Sequence, residues 1–239
     1  MAGAEPKVTT GAADRAQRGG RFVWSLLVLN VGLMFMGLAT ALMLNASLGV
    51  APWAVFHEGM SLLAGISHGR MSQIAGLVLI ALSWAWLGKR PGIGTVLNMV
   101  LIGLWIDAFR YHPFMPHPET FVPRLAQLLA ATVLFSMASA LYIDARLGTG
   151  PRDSVMMGLS DRFRVSVRAT RSSIEVVVLA VGFLLGGPVG LGTVLYAVLV
   201  GPLVQTFLRL FRGVVRSPSP EPAQTPVAKP GRVPTQPRG

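Results

Sequence analysis

The chain has 239 residues, of which 52% are hydrophobic and only 13% are charged, and its mean hydropathy is +0.56. Soluble domains carry about a quarter charged residues, so this composition argues against a disordered chain and against an ordinary soluble enzyme. The sequence has no cysteine, which excludes disulfides, zinc–thiolate sites, iron–sulfur clusters and cysteine nucleophiles. The net charge of +11 would suit nucleic acid, but the positions of the basic residues indicate another cause.

Six stretches predict membrane-spanning helices, each of which needs about 20 mostly apolar residues. In chain order they cover residues 22–48, 72–87, 94–111, 125–143, 173–185 and 194–211. The connectors at residues 88–92 and 186–190 are short, so each joins two antiparallel spans. The first stretch is longer than the apolar core of a signal peptide, so we expect it to be a membrane span that is not cleaved.

The two ends of the chain differ from its middle. Residues 1–21 are small, polar and basic, and the last part of the chain is rich in proline. Such segments cannot bury a core, and we expect both to be disordered. The sequence therefore predicts five regions, which are a basic N-tail over 1–21, a three-helix repeat over 22–111, an outer connector over 112–122, a second three-helix repeat over 123–211 and a Pro-rich C-tail over 212–239.

The basic residues are distributed unevenly between the two sides of the predicted membrane helices. If the N-terminus is cytoplasmic, only Arg70, Arg110 and Arg124 of the 21 Lys and Arg residues fall outside. This positive-inside bias predicts that both termini are cytoplasmic. It also explains the basic charge through orientation and attraction to anionic lipid, so we expect no nucleic-acid partner.

The two halves of the chain repeat each other. Residues 48–52 match residues 147–151, which lie 99 positions later, and residues 92–97 match residues 190–195, which lie 98 positions later. The matched positions include ordered Gly and Pro residues, which apolar helices do not share by chance. Each copy holds three spans, an odd number, so the second copy must lie upside down relative to the first. Inverted repeats are a recurrent transporter architecture.

The repeat and the hydropathy together predict the fold class. We expect an all-α, polytopic membrane protein with six transmembrane helices in two inverted three-helix repeats. Each repeat also contains a short helix, over residues 52–64 and 151–163, which begins at a proline. Each would be about 20 Å long, shorter than the hydrocarbon core of about 30 Å. They could be interrupted or re-entrant helices that mark a midplane site, or amphipathic helices lying flat at the membrane faces.

Three segments together resemble a known family. They are Gly-Val-Ala-Pro-Trp at 49–53, Gly-Thr-Gly-Pro-Arg-Asp at 148–153 and Gly-Gly-x-x-Gly-Leu-Gly-Thr at 186–193. Over about residues 25–211 the chain resembles the YitT/YczE family of bacterial integral membrane proteins. The resemblance implies a bacterial cytoplasmic-membrane location, but the family is largely uncharacterised and it implies no catalytic residue or substrate. Ala54 stands where the analogy with Asp153 leads us to expect a carboxylate.

Ionisable and polar residues near the spans are candidates for a site, because such residues are costly in a membrane. Glu175 lies about one turn inside the fifth span, and Arg171 lies four residues earlier on the same helix face. A structural ion pair is the interpretation that we favour for these two residues. Asn45 and Asp144 occupy equivalent positions at the ends of the first and fourth spans, where helix capping is the alternative.

The two short helices supply the other candidates, since free backbone N–H groups at their N-termini suit an anionic group. His57 and Glu58 are adjacent and do not face each other on a helix, so they are not expected to act as one unit. Asp107 and Arg110 are expected to form a local pair, and His68 is expected to face outward. The candidate binding residues are Asn45, Pro52, Trp53, His57, Glu58, Asp144, Pro151, Arg152, Asp153, Arg171 and Glu175.

These features favour a small-solute transporter or a solute-binding membrane protein. The alternative is a non-transporting membrane factor that regulates or assists another protein, which the small size, short loops and basic inner face would suit. No catalytic constellation can be built from the sequence, so we expect no enzymatic activity, no cofactor and no metal. The expected partners are the lipid bilayer and a small molecule whose identity the sequence does not reveal.

Overall fold

The computed structural model describes residues 10–211, and these form eight α-helices without a strand among them. The helices are α1 (Thr10–Ala46), α2 (Pro52–Ala64), α3 (His68–Ala85), α4 (Ile93–Arg110), α5 (Phe121–Asp144), α6 (Pro151–Phe163), α7 (Val167–Leu184) and α8 (Leu191–Leu210). The predicted all-α class is therefore confirmed. Four helices are long and apolar enough to cross a membrane, namely α1 from Gly19 onward, α4, α5 and α8.

The helices α3 and α7 correspond to the second and fifth predicted spans, and neither is among those four. Each has 18 residues, but each begins with a polar stretch. In α7 this stretch includes Arg168, Arg171 and Glu175, and in α3 it includes Arg70 and Gln73. These side chains make both helices less apolar than the other four, so the count of six spans remains a prediction.

At the N-terminal end the structure differs from the expected disordered tail. The helix α1 begins at Thr10, so residues 10–21 continue the first span as helix. Extending an existing helix costs far less free energy than starting one, and this stretch contains several alanines and no proline. Residues 1–9 and the Pro-rich C-tail of residues 212–239 lie outside the described part of the chain.

The helix boundaries follow the sequence repeat. The two short helices α2 and α6 have the predicted bounds, and they start and end 99 residues apart. Each ends in a left-handed residue, Gly65 with φ 66° and Arg164 with φ 55°. Ser67 and Ser166 then cap α3 and α7, each accepting a hydrogen bond from a backbone N–H of the new helix. The same turn therefore follows both short helices.

Helix packing also follows the repeat. The helix α1 packs against α5, its counterpart, and the two contacts α1–α4 and α5–α8 correspond to each other. Each short helix packs against the following helix of the other half, α2 against α7 and α6 against α3. The contact between α2 and α7 is close, since a Cβ atom on Gly182 would lie 2.5 Å from the backbone nitrogen of Phe56. The halves are therefore interlocked.

The contact between α3 and α4 does not follow this correspondence. The helices α3 and α4 pack closely, because a Cβ atom on Gly69 would lie 2.0 Å from the carbonyl oxygen of Gly103. Their counterparts α7 and α8 have no comparable packing within the described chain. A Cβ atom on Gly201, the counterpart of Gly103, would have no neighbour within 4 Å. The helices α3 and α4 are thus in close contact, whereas their counterparts α7 and α8 are not.

Candidate functional site

The two short helices meet at their N-termini. Both begin with a proline in the first turn, and neither N-cap residue, Ala51 or Gly150, makes a side-chain capping hydrogen bond. Trp53 in α2 and Arg152 in α6 are repeat-equivalent, and the guanidinium carbon of Arg152 lies 4.8 Å from the centroid of the Trp53 ring. Such a cation–π contact is worth about 0.5 to 2 kcal/mol, depending on how far the cation is desolvated.

The backbone that precedes each short helix is held by the other half of the chain. The N–H of Gly192 donates to the carbonyl oxygen of Leu48 at 2.6 Å, and the N–H of Gly94 donates to that of Leu147 at 2.8 Å. These two hydrogen bonds correspond to each other in the repeat, because Leu48 is equivalent to Leu147 and Gly94 to Gly192. A movement of α4 or α8 would therefore be transmitted to the start of a short helix.

A cavity of about 550 Å³ lies where the short helices meet. Residues from all eight helices line it, including those of the first turns of α2 and α6. Its lining includes the apolar side chains of Met36, Met99, Ile102 and Ile106. It also includes polar, aromatic and charged side chains, which are Trp53, His57, Tyr142, Arg152, Asp153, Arg171, Glu175 and Tyr196. A volume of this size lies within the range of small-molecule sites, which is about 300 to 1,000 Å³.

The charged residues of the cavity wall come mainly from the second half. Arg171 and Glu175 form the predicted i, i+4 ion pair, with Nε 2.9 Å from Oε1. Arg152 makes no ion pair with any described carboxylate, and its guanidinium packs over the Trp53 ring. Asp153, at the start of α6, likewise has no ion-pair partner within 4 Å in the described chain.

Two polar atoms beside the cavity lack a partner. Trp53 Nε1 and His57 Nε2 are buried and make no hydrogen bond with any described residue. Trp53 is 8% exposed and His57 is 2% exposed, and both residues line the cavity. Buried polar groups are normally hydrogen-bonded.

Behind His57 lies a buried cluster that ties α2 to α3 and α4. Glu58 accepts two hydrogen bonds from Arg110, at 2.7 and 2.8 Å, and one contact of 2.8 Å joins its Oε2 to His68 Nδ1. The ring of His68 also contacts that of His57, with centroids 5.7 Å apart.

This cluster corrects three sequence-based expectations. His68 is 1% exposed and does not face outward. Asp107 does not pair with Arg110 but accepts hydrogen bonds from the Ser67 hydroxyl and the Gly69 N–H. His57 and Glu58 do not face each other, as expected, yet both contact His68 and are joined through it. The partners of Glu58 lie 10 and 52 residues away in the chain, a distance that local spacing cannot reveal.

The structure brings most of the predicted site residues to the cavity. Those that line it are Pro52, Trp53, His57, Pro151, Arg152, Asp153, Arg171 and Glu175. Glu58 lies behind this wall in the cluster with His68 and Arg110. Asn45 and Asp144 are at the ends of α1 and α5 and do not line the cavity. Sequence reasoning missed Tyr142 and Tyr196, which line it but carry no local signal beyond their apolar spans.

A family profile described as "Family of unknown function (DUF6198)" matches residues 23–209. The chain belongs to this family. An "Uncharacterized protein" of Haemophilus influenzae is 35% identical over 186 residues, which cover 78% of this chain and 84% of that protein. The "Uncharacterized membrane protein YczE" of Bacillus subtilis is 32% identical over 175 residues, which cover 73% of this chain and 80% of YczE.

The DUF6198 match and the similarity to YczE confirm the resemblance that the sequence segments suggested. The "Uncharacterized protein YyaS" of B. subtilis is a more distant relative, 20% identical over 179 residues, which cover 74% of this chain and 89% of YyaS. No solved structure matches the chain. Membership of this family, together with the four apolar helices, makes the chain a membrane protein that contacts the lipid bilayer.

Proposed function

We propose that this protein is a small-solute transporter of the bacterial cytoplasmic membrane, with both termini in the cytoplasm. The observation that carries the proposal is the central cavity of about 550 Å³, at which the first turns of α2 and α6 meet. Interrupted helices that meet at a central site are the usual binding arrangement of secondary transporters. The charged and unpartnered polar groups of its wall support a solute site, since groups of this kind are costly unless they serve a ligand.

The proposal includes six spans, with α3 and α7 as the second and fifth, and an inverted relation between the two halves. The matched helix boundaries, the paired hydrogen bonds of Gly94 and Gly192, and the interlocked short helices support this relation. The predicted charge bias supports the orientation. The short helices α2 and α6 would then enter the membrane from opposite sides. Extensive burial of α2, from Trp53 through Ser61, supports this interpretation over a helix lying flat at the surface.

Alternating access follows from the asymmetry between the halves. In the proposed orientation, the closed contact between α3 and α4 and the Glu58–Arg110 ion pair lie on the outer side. The separated helices α7 and α8 then leave the cavity open toward the cytoplasm. Exchanging the two arrangements, so that α7 and α8 close while α3 and α4 separate, would open the cavity outward. Gly201 on α8 has the free space that such a closure needs.

Uptake into proteoliposomes tests the proposal. Purified protein is reconstituted and supplied with a broad panel of radiolabelled small solutes, with and without a pH gradient. We expect at least one solute to accumulate, and Arg152→Gln to abolish its accumulation. Asp161→Asn is the matched control, because Asp161 pairs with Lys89 at an exposed position away from the cavity. Absence of uptake and of binding for every solute would favour the non-transporting membrane factor instead.

A further inference from the structure

We propose that the cavity binds a zwitterionic solute, one that carries a carboxylate and an ammonium group on an apolar skeleton. This inference rests on the proposed function and names the class of solute. It is carried by two opposite charges of the cavity wall, Arg152 and Asp153, that have no ion-pair partner within the described chain.

The positive end of the site is formed by Arg152 and the start of α2. The first turn of α2 contains no acidic residue, so its backbone N–H groups and its positive dipole end are not compensated. Arg152 lies over the Trp53 ring in that turn, which fixes the guanidinium and leaves its N–H donors free. Trp53 Nε1 is a further donor without a partner. A carboxylate could accept from all of these groups.

The negative end is formed by Asp153 in the first turn of α6. Its repeat counterpart in α2 is Ala54, so this carboxylate is present on one side of the site only. Glu175 also lines the cavity, but it is already paired with Arg171. Neighbouring residues on a helix point in different directions, and Arg152 and Asp153 accordingly form no ion pair with each other. Asp153 is therefore the free acceptor for an ammonium group.

A solute with both charges satisfies both ends at once. A simple carboxylate would leave Asp153 without a direct ion-pair partner, and a simple amine would leave Arg152 without one. A charge-assisted hydrogen bond is stronger than a neutral one, so a singly charged analogue, which can form only one of the two ion pairs, should bind more weakly than the zwitterion. The apolar wall formed by Met36, Met99 and Ile102 suits an aliphatic or aromatic side group. The chemistry is that of an apolar amino acid.

Binding of matched probes tests the proposal. The full chain is placed in nanodiscs of phosphatidylglycerol, a lipid without an ammonium group, and titrated by calorimetry. The probes are phenylalanine, 3-phenylpropanoate, which lacks the ammonium, and 2-phenylethylamine, which lacks the carboxylate. The same measurement is made with leucine, 4-methylpentanoate and 3-methylbutylamine. We expect at least one amino acid to bind at least tenfold more tightly than both of its analogues.

Charge substitutions should change this preference rather than remove all binding. Asp153→Asn should lower the affinity for the amino acid at least tenfold and make the matching carboxylate the tighter ligand. Arg152→Gln should make the matching amine the tighter ligand, whereas Arg152→Lys should keep the preference for the amino acid. Asp161→Asn should leave all affinities unchanged. A purely structural role of either residue predicts equal losses for all three probes.

Two results would overturn the inference. The first is a carboxylate or amine that binds as tightly as its amino acid to the unsubstituted protein. The second is uptake of another solute from the broad panel without binding of either amino acid, which would leave the transporter proposal intact. If no solute of the panel is bound or moved, the transporter proposal itself fails.

Discussion

Trp53 and Arg152 occupy equivalent positions in the two halves of the chain, and the guanidinium carbon of Arg152 lies 4.8 Å from the centroid of the Trp53 ring. A contact between equivalent positions is expected on the axis that relates two repeats. The two residues nevertheless differ in chemistry, an indole on α2 and a guanidinium on α6. The two equivalent positions at the starts of α2 and α6 therefore differ in charge.

A double-mutant cycle measures this contact. Trp53→Leu and Arg152→Gln should show a coupling free energy of about 1 kcal/mol, because a partly desolvated cation–π contact is worth about 0.5 to 2 kcal/mol. The measurement is reversible unfolding in mixed micelles. Arg152→Lys should retain part of the coupling, since an ammonium group also binds an aromatic face. Additive effects of the two substitutions would show that the residues are only neighbours.

Substitutions in the cluster of Glu58, His68 and Arg110 should lower the stability of the protein more than substitutions at the contact between α2 and α6. Glu58→Gln should lower the free energy of unfolding by about 3 kcal/mol, because removing one partner of a buried pair leaves the other charge uncompensated. The side chain of Glu58 is only 11% exposed and that of Arg110 is 22% exposed. The double variant with Arg110→Gln should be more stable than the sum of the two single effects predicts.

The exposed pair of Lys89 and Asp161, with side chains 41% and 65% exposed, is the matched control for that cluster. Exposed ion pairs contribute about 0 to 1 kcal/mol, so Lys89→Gln should change stability little. An equal loss of stability in Glu58→Gln and Lys89→Gln would contradict the conclusion that the Glu58 cluster holds α2 against α4.

The close approach of α2 and α7 should depend on Gly182. Gly182→Ala would place a Cβ atom 2.5 Å from the backbone nitrogen of Phe56, and we expect a loss of about 1 to 3 kcal/mol from overpacking. Gly20→Ala in α1 is the control, since no atom lies within 4 Å of its Cβ position. That change should be neutral or slightly stabilising, because alanine is the better helix former. The ratio of folded to aggregated protein in size-exclusion chromatography checks both.

Local signals in the sequence predicted part of this structure well. Pro52 and Pro151 correctly predicted where the short helices begin, and the i, i+4 spacing correctly predicted the ion pair of Arg171 and Glu175. Contacts between distant segments could not be predicted in this way. Glu58 pairs with a residue 52 positions away, so its partner depends on how α2 and α4 cross.

The contact between α2 and α6 shows the same limit in the site. The repeat identified Trp53 and Arg152 as equivalent, but equivalence alone does not bring two residues together. They meet because each short helix packs on the opposite half, α2 on α7 and α6 on α3. That interlocking depends on close approaches at Gly182 and at Gly158, where a Cβ atom would lie 2.7 Å from Leu87. A single glycine in an apolar helix does not by itself predict that another helix approaches closely at that position.

Alternating access to the cavity is the central claim, and cysteine labelling tests it most directly. The chain has no native cysteine, so Ser139→Cys, on the cavity wall, gives a clean signal. We predict that a membrane-impermeant maleimide labels this cysteine from the cytoplasmic side in inverted vesicles and from the outer side in intact cells. Arg110→Gln should increase labelling from outside, because it removes the ion pair with Glu58 that holds α2 against α4. Labelling from one side only, unchanged by Arg110→Gln, would contradict the account.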